Sequence, residues 1–415
     1  MTAALPRNPN ARHAVEVVAR ESYGRLIALL SARSHDIAAA EDALADAFCA
    51  AMETWPRVGV PAKPEAWLLV VARRRLIDWA RHANLHAAVA PALLDAVNEA
   101  VEIAADSIAF PDERLKLLFV CAHPAIAAAV RTPLMLQTVL GLPAVRIASA
   151  FLVQPCAMGQ RLARAKAKIR DAGIRFEVPE ERELPTRLDA VLEAIYAAYG
   201  SGWGDRAGSD QRQKSLAIEA IELGRLLRQL MPREPEIHGL LALMLHCEAR
   251  REARRNEAGA YIPLSEQDVA RWDNLLIEEA ESNLAEAEKA RRIGRFQLLA
   301  AIQSLHARRL LTGTTDWQAI ACLYDSLVRL APTIGTLVSR AAAVAEARDA
   351  RSGWTLLETI PAESVKDYQP YWALAADLLR RMGRGNEAAS AYSRAIGLCE
   401  DPAVRKFLAQ KASSR

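Results

Sequence analysis

Apolar residues recur along this chain at the spacing of an α-helix, and the breaks between runs fall at proline and glycine. Met158, Leu162, Ala165 and Ile169 stand at i, i+4, i+7 and i+11, which is one stripe of a helix. Leu69, Ala72, Leu76 and Trp79 form a comparable arc on another segment. Alanine and leucine abound while β-branched runs are scarce, so the sequence predicts an all-α protein. With 415 residues, 52% of them hydrophobic, the chain is long enough for roughly two to four domains with sizeable cores.

Three zones separate. Residues 11–83 read as three helices. The first runs from about Arg12 to Arg33. The second follows a cap at Ser34 or Asp36 and covers "IAAAEDALADAFCAAMETW". The third is "EAWLLVVARRRLIDWARH". Between the last two lies "PRVGVPAKP", whose three prolines and one glycine stop a helix and shape a rigid turn. Residues 84–110 form an Ala-rich, acidic connector. Residues 111–175 hold four helical segments, split by Pro124, by Gly141–Pro143 and by "LVQP", and the last ends near Gly173, a natural C′ residue. Residues 185–410 are again amphipathic helices with short breaks, and a faint 34-residue repeat runs through them. Ile320, Tyr324, Leu327 and Pro332 fit the second helix of a tetratricopeptide unit. Ala388, Tyr392 and Ala395 lie 68 residues later, with Trp372 in the preceding helix. An intermediate unit near Gly353, Leu357 and Ile360 is one residue out of register. Such a repeat means stacked helix pairs sharing one core, against the alternative of a non-repeating bundle.

Charge is nearly balanced overall, at +3, so any polyanion binding is local. The stretch "QPCAMGQRLARAKAKIR" (154–170) concentrates five basic residues and no acidic one. Arg161, Arg164 and Lys168 cluster beside the apolar stripe, within about 60° at 100° per residue. A short helix, "PAVRIASAF", and a tight turn with Pro155 precede it, which is the layout of a helix-turn-helix. The residues alone leave two readings open: a helix that enters the major groove, or the solvated face of a core helix. A second basic cluster stands in the third helix, where Arg74, Arg75, Asp78, Arg81 and His82 oppose the apolar arc. Trp67 sits near its start, after the Pro-rich loop. Cations beside aromatics suit single-stranded DNA, while Trp67 and Trp79 also read as core residues.

At these residues the chain resembles the extracytoplasmic-function sigma factors of bacterial RNA polymerase. "DIAAAEDALADAFCAAMETWP" and "PEAWLLVVARRRLIDWAR" resemble region 2 of that family, and "PDERLKLLFVCAHPAI" with "GLPAVRIASAFLVQPCAMGQRLARAKAKIR" resembles region 4. The remainder is similar to the subgroup with a C-terminal tetratricopeptide-like (TPR-like) domain. The resemblance implies region 2 at 11–83, a flexible linker at 84–110, region 4 at 111–175 and a TPR-like regulatory domain at 185–410. It implies binding to the polymerase core, at the β′ clamp helices and the β flap, through Asp42, Asp46 and Phe48 for the clamp. It implies capture and melting of −10 DNA by Arg57, Lys63, Trp67, Arg73, Arg74, Arg75, Asp78 and Arg81. Reading of −35 DNA falls to Gln160, Arg161, Arg164 and Lys168, with Arg146 as a phosphate contact. The chain departs from the family pattern in three places. Arg146 stands where an acidic residue usually braces the recognition helix, Gly159 lies inside that helix, and "YGSGW" replaces an Asn-Glu-Gly-Tyr motif.

Other functions find little support. Six scattered cysteines make no CxxC pair, so neither a zinc site nor a disulfide framework is indicated, and a reducing compartment is expected. Cys121/His123 and His246/Cys247 are too close in sequence to supply a metal site by themselves. No phosphate-cradling loop, nucleophile elbow or HExxH occurs. "GSGWGDRAGSD" (200–210) lacks the lysine of a P-loop and reads as a loop, and the polar stretch 251–268 reads as a solvated insertion. No apolar run reaches the roughly 20 residues of a membrane span, and the start lacks a signal peptide's apolar core. The expectation is a cytoplasmic, nucleoid-associated, non-enzymatic sigma factor without cofactor or metal. A protein regulator on the TPR-like domain is a further expected partner. A one-component helix-turn-helix regulator and a TPR scaffold with a degenerate N-terminus are the competing readings.

Overall fold

The computed structural model describes residues 10–82, 113–151, 153–180, 182–203 and 211–413. Its regular elements among these residues are helices, with one isolated β-bridge between Arg255 and Tyr261. The all-α expectation holds. The chain divides into two compact units, Met1–Trp203 with Arg212–Leu223, and Gly204–Gln211 with Gly224–Arg415.

The first unit begins with α1 (Asn10–Ser34), α2 (Ile37–Val58) and α3 (Pro64–His82). His35 turns the chain between α1 and α2 with a positive φ, and Asp36 caps α2 by accepting from the Ala39 N–H at 3.1 Å. The inner stripe of α2 is Ile37, Ala40, Leu44, Ala47, Ala51 and Trp55. Pro56 does not end this helix. It falls in the last turn, and the chain closes only at Gly59, whose N–H bonds to Trp55 O at 3.0 Å. The expected nine-residue loop is thereby shortened, because Pro56 stays in α2 and Pro64 is the first residue of α3.

Four more helices follow: α4 (Arg114–Cys121), α5 (Ala128–Thr138), α6 (Ala144–Ala150) and α7 (Pro155–Asp171). Gly173 follows α7 with φ 60°, as a C′ glycine does. Helix α1 packs on α4 and on the end of α5. The approach is tight at Gly24, where an added Cβ would collide with the Val139 carbonyl oxygen. The next helix, α8 (Leu184–Trp203), packs on α4 and α5 through Leu188, Val191, Leu192 and Ile195. The first unit thus extends beyond residue 185, where the sequence reading starts its C-terminal domain. The stretch "YGSGW" is the end of α8 and not a loop, while residues 204–210 and the connector 84–110 lie outside the described residues. Helix α9 (Gln211–Leu230) is shared between the units.

In the second unit α10 (Pro235–Glu248) is apolar nearly all round and buried between α11 (Asn274–Lys289) and α12 (Arg295–Ala307). After the short α13 (Arg309–Thr312), each helix packs mainly on its sequence neighbours. These are α14 (Trp317–Leu330), α15 (Ile334–Ala347), α16 (Ala350–Glu358), α17 (Ala362–Val365), α18 (Gln369–Arg381), α19 (Gly385–Leu398) and α20 (Pro402–Ser413). Ile320, Leu327, Leu357, Ile360, Ala388, Tyr392 and Ala395 are all buried. Trp372 is partly buried and donates its indole N–H to the carbonyls of Val365 and Lys366, each at 3.1 Å. The stretch 251–268 is more firmly held than a solvated insertion. Tyr261 packs edge-on against Phe407 at 5.5 Å, Arg255 pairs with Asp401 at 2.8 Å, and Gln267 is buried.

Two glycines should respond in opposite directions to alanine. Gly24→Ala forces a methyl into a backbone carbonyl and costs about 1–3 kcal/mol or more. A Cβ added at Gly159 would meet nothing within 4 Å, so Gly159→Ala gains about 1 kcal/mol of helix propensity. Urea midpoints of the two variants check both signs, and shifts in the same direction contradict the packing described.

Candidate functional site

The first unit carries two charged faces, one of mixed sign and one cationic. The first lies on α2 and α3. Asp42 and Asp46 are exposed on α2, and Phe48 is half-buried near them. Across from them Arg74, Arg75 and Asp78 are exposed on α3, and Arg75 Nε lies 3.7 Å from Asp46 Oδ2. A cleft of about 350 Å³ opens here, lined by Asp36, Asp42, Asp46, Arg75, Trp79 and Arg170 among others. Trp79 lies on the inner arc by helical angle, yet it is 50% exposed. Burial needs a partner at the same height along the helix, and the last turn of α3 meets this open cleft instead.

Arg57 and Lys63 are exposed at the ends of the α2–α3 loop. Arg73 does not join them. It is only 5% exposed, one turn from Leu69 and from Ile77 on the buried side of α3. Trp67 is half-buried and packs edge-on against fully buried Trp55 at 5.5 Å, so its ring belongs partly to the core. The side chain of Arg81 lies outside the described residues.

The second face lies on α6 and α7. Met158, Leu162, Ala165 and Ile169 are buried, as the stripe predicts. Gln160, Arg161, Arg164 and Lys168 are all exposed on the opposite arc. Arg164 donates to the Gln160 side chain at 3.4 Å, and no acidic residue lies in the helix before Asp171. Helix α6 places half-buried Arg146 before the turn. The arrangement offers cationic and amide donors from one rod, which is the chemistry that base edges and phosphates accept.

The two faces are held together by contacts the sequence reading missed. Lys166, 7% exposed, forms a salt bridge with Glu41 of α2 at 2.5 Å. Arg170 reaches Asp36 at 3.7 Å, and Phe176 packs edge-on against His35 at 5.8 Å. Burial raises the Glu41 carboxyl above its ordinary value, and Lys166 opposes that rise by attraction and hydrogen bonding. Burial also raises the Tyr23 hydroxyl, with Glu41 adding to it, and pushes the Cys121 thiol up to about 12. A signal for Lys166 was present: it lies about 40° from Leu162 by helical angle, at the edge of the apolar stripe. Nothing in the sequence named Glu41 as its partner across 125 positions.

The family model for sigma-70 region 2 matches residues 18–85, which spans most of α1 and all of α2 and α3. Residues 18–85 thus carry a sigma-70 region 2 domain, which supports a sigma-70 family factor. An uncharacterized protein of Rhizobium meliloti (strain 1021) is 37% identical over 396 residues, covering 92% of this chain and 93% of that relative. Region 2 carries a role in promoter recognition and implies contact with RNA polymerase core and promoter DNA. A family of unknown function, DUF6596, matches residues 187–288. No solved structure matches. No helix among the described residues is long and apolar enough to cross a membrane, and no group of three His, Cys, Asp or Glu there could hold a metal ion.

Removing one partner of the Glu41–Lys166 pair strands a largely buried charge. Glu41→Ala or Lys166→Ala alone should cost about 3 kcal/mol, and the double variant less than the sum. Urea unfolding of the four proteins measures this cycle, and strictly additive losses contradict the coupling.

Proposed function

We propose that this chain is an alternative sigma factor of the extracytoplasmic-function type, with a TPR-like C-terminal domain that modulates its activity. The single observation that carries the reading is the pairing of a region 2 match on α1–α3 with an acid-free donor face on α7. In this reading residues 11–83 bind the polymerase core and −10 DNA, 84–110 link, 111–175 bind the −35 element and the β flap, and 185–410 regulate. Asp42, Asp46 and Phe48 meet the β′ clamp helices. Arg57, Lys63, Arg74, Arg75 and Asp78 form the −10 face with the exposed edge of Trp67. Gln160, Arg161, Arg164 and Lys168 read −35 DNA through a helix-turn-helix, with Arg146 on phosphate. The protein works in the cytoplasm, on the nucleoid, and does no catalysis of its own. A protein regulator is the expected partner of the C-terminal domain.

The contacts between α2 and α7 set a condition on this function. Elements named −35 and −10 lie about 25 base pairs apart, on the order of 80 Å at 3.4 Å per step. Arg75 and Arg170 line one cleft, so the two faces are far too close to meet both elements at once. The compact first unit is then the resting state, and α7 leaves α2 when the promoter is engaged. An extended chain as long as residues 84–110 reaches on the order of 90 Å, enough for that separation.

Adding the purified protein to core polymerase should give promoter-specific runoff transcripts. Arg161→Ala or Arg164→Ala should lose discrimination at one −35 position by about 1–3 kcal/mol. Lys168→Ala should instead weaken binding to all sequences and lower the salt slope by about 1. No transcript above that of core polymerase alone defeats the proposal.

A further inference from the structure

The second unit contains a buried cationic cluster that nothing above uses. The last turn of α10 contributes His246, and Arg250 stands in the turn just after the helix ends. Helix α12 contributes Gln303 and His306, α13 begins with Arg309, and the segment before α11 contributes Trp272. Arg250 is 7% exposed and Trp272 4%. Both guanidinium groups face the same indole ring, with Cζ of Arg250 5.9 Å and Cζ of Arg309 5.1 Å from its centroid.

The hydrogen bonding of this cluster is incomplete in one direction. Arg250 Nη2 donates to Gln303 Oε1 at 2.5 Å, but Nη1 is buried with no partner. The buried indole N–H of Trp272 has none either. Arg309 spends its donors on the carbonyls of Leu264, Ser265 and Gln267, all neutral acceptors. Among the described residues neither arginine forms an ion pair. One carboxylate, Glu281, lies 3.4 Å from His246 Nε2 and accepts from the Ser304 hydroxyl. Burial and the charge of Arg250 push His246 down to about 3 and His306 down to about 4, so both rings are neutral at pH 7. Buried guanidinium groups are ordinarily paired, and an unmet buried donor is costly. The cluster borders solvent through half-buried Gln303, His306 and Arg309, which leaves a side of approach.

We propose that this cluster is a binding site for the oxyanion group of a small molecule, a carboxylate or a phosphate. Arg250 Nη1 and the Trp272 indole N–H are its donors, and Arg309 supplies a second positive charge. Both donors lie within residues 187–288, so the matched region of unknown function gains a ligand class. The inference is independent of the sigma-factor reading, because no promoter contact enters it.

The test uses the full chain with ¹⁵N-labelled tryptophan indoles, the Trp272 resonance being assigned through Trp272→Phe. Sodium phosphate and sodium acetate are titrated separately, against sodium chloride at matched ionic strength. A saturable shift of the Trp272 resonance in the phosphate or the acetate arm, absent with chloride, is expected, and the responding arm identifies the ligand chemistry. Arg250→Gln should weaken the response at least about tenfold, as loss of a charge-assisted bond does. Arg384→Gln, which removes an exposed cation from Trp354 elsewhere, should leave it intact. Gln303→Glu places a carboxylate against Arg250 and should raise the melting temperature while abolishing the response. The proposal is overturned by no saturable shift in either arm, by an equal shift with chloride, by unchanged affinity in Arg250→Gln, or by a full response in Gln303→Glu.

Discussion

The compact form of the first unit depends on a buried ion pair that joins its two halves. Lys166 sits at the edge of the apolar stripe of α7, and its ammonium group meets Glu41 on α2. A lone lysine at that depth would be costly, and a lone glutamate equally so. Each makes the other tolerable only while α2 and α7 remain in contact. The pair therefore makes the association of the two helices conditional, more than it adds net stability. Arg170 with Asp36 and Phe176 with His35 extend the same contact, and Gly24 admits α1 against the end of α5.

This arrangement gives α7 three distinct sides. One is apolar and holds the helix on the unit, one carries Lys166 and Arg170 toward α2, and one presents Gln160, Arg161, Arg164 and Lys168 to solvent. The five basic residues that make the segment conspicuous are thus divided between two tasks. Three are available to an outside anion, and two are engaged within the protein. A similar division holds on α3, where Arg73 is buried, Arg75 approaches Asp46 and Arg74 is exposed.

Much of the fold was legible because helical period and breakers are local signals. The helix boundaries of α1, α3 and α7, the Asp36 cap and the Gly173 end all follow from residues within a few positions. Pro56 misled because its position within the last turn, and not its presence, decides whether a helix continues. The inward turn of Arg73 and the exposure of Trp79 depend on which neighbour stands at that height, which one helix cannot reveal. The Glu41–Lys166 pair and the cluster around Arg250 join residues far apart in sequence, so periodicity had no access to them. The short helix, turn and basic helix were visible from spacing alone, whereas the partner of that helix within the first unit was not.

The central claim is that α7 is held by α2 in the free protein and leaves it on the promoter. Spin labels at Arg20→Cys on α1 and Arg175→Cys after α7, in a variant without other exposed cysteines, report that separation directly. Both positions are exposed, and neither is among the residues assigned to DNA or polymerase. A single short distance is predicted for the protein alone. With core polymerase and promoter DNA it should lengthen by several tens of ångströms, on the scale of the spacing between the two elements. An unchanged short distance in a complex that makes specific transcripts would contradict the account.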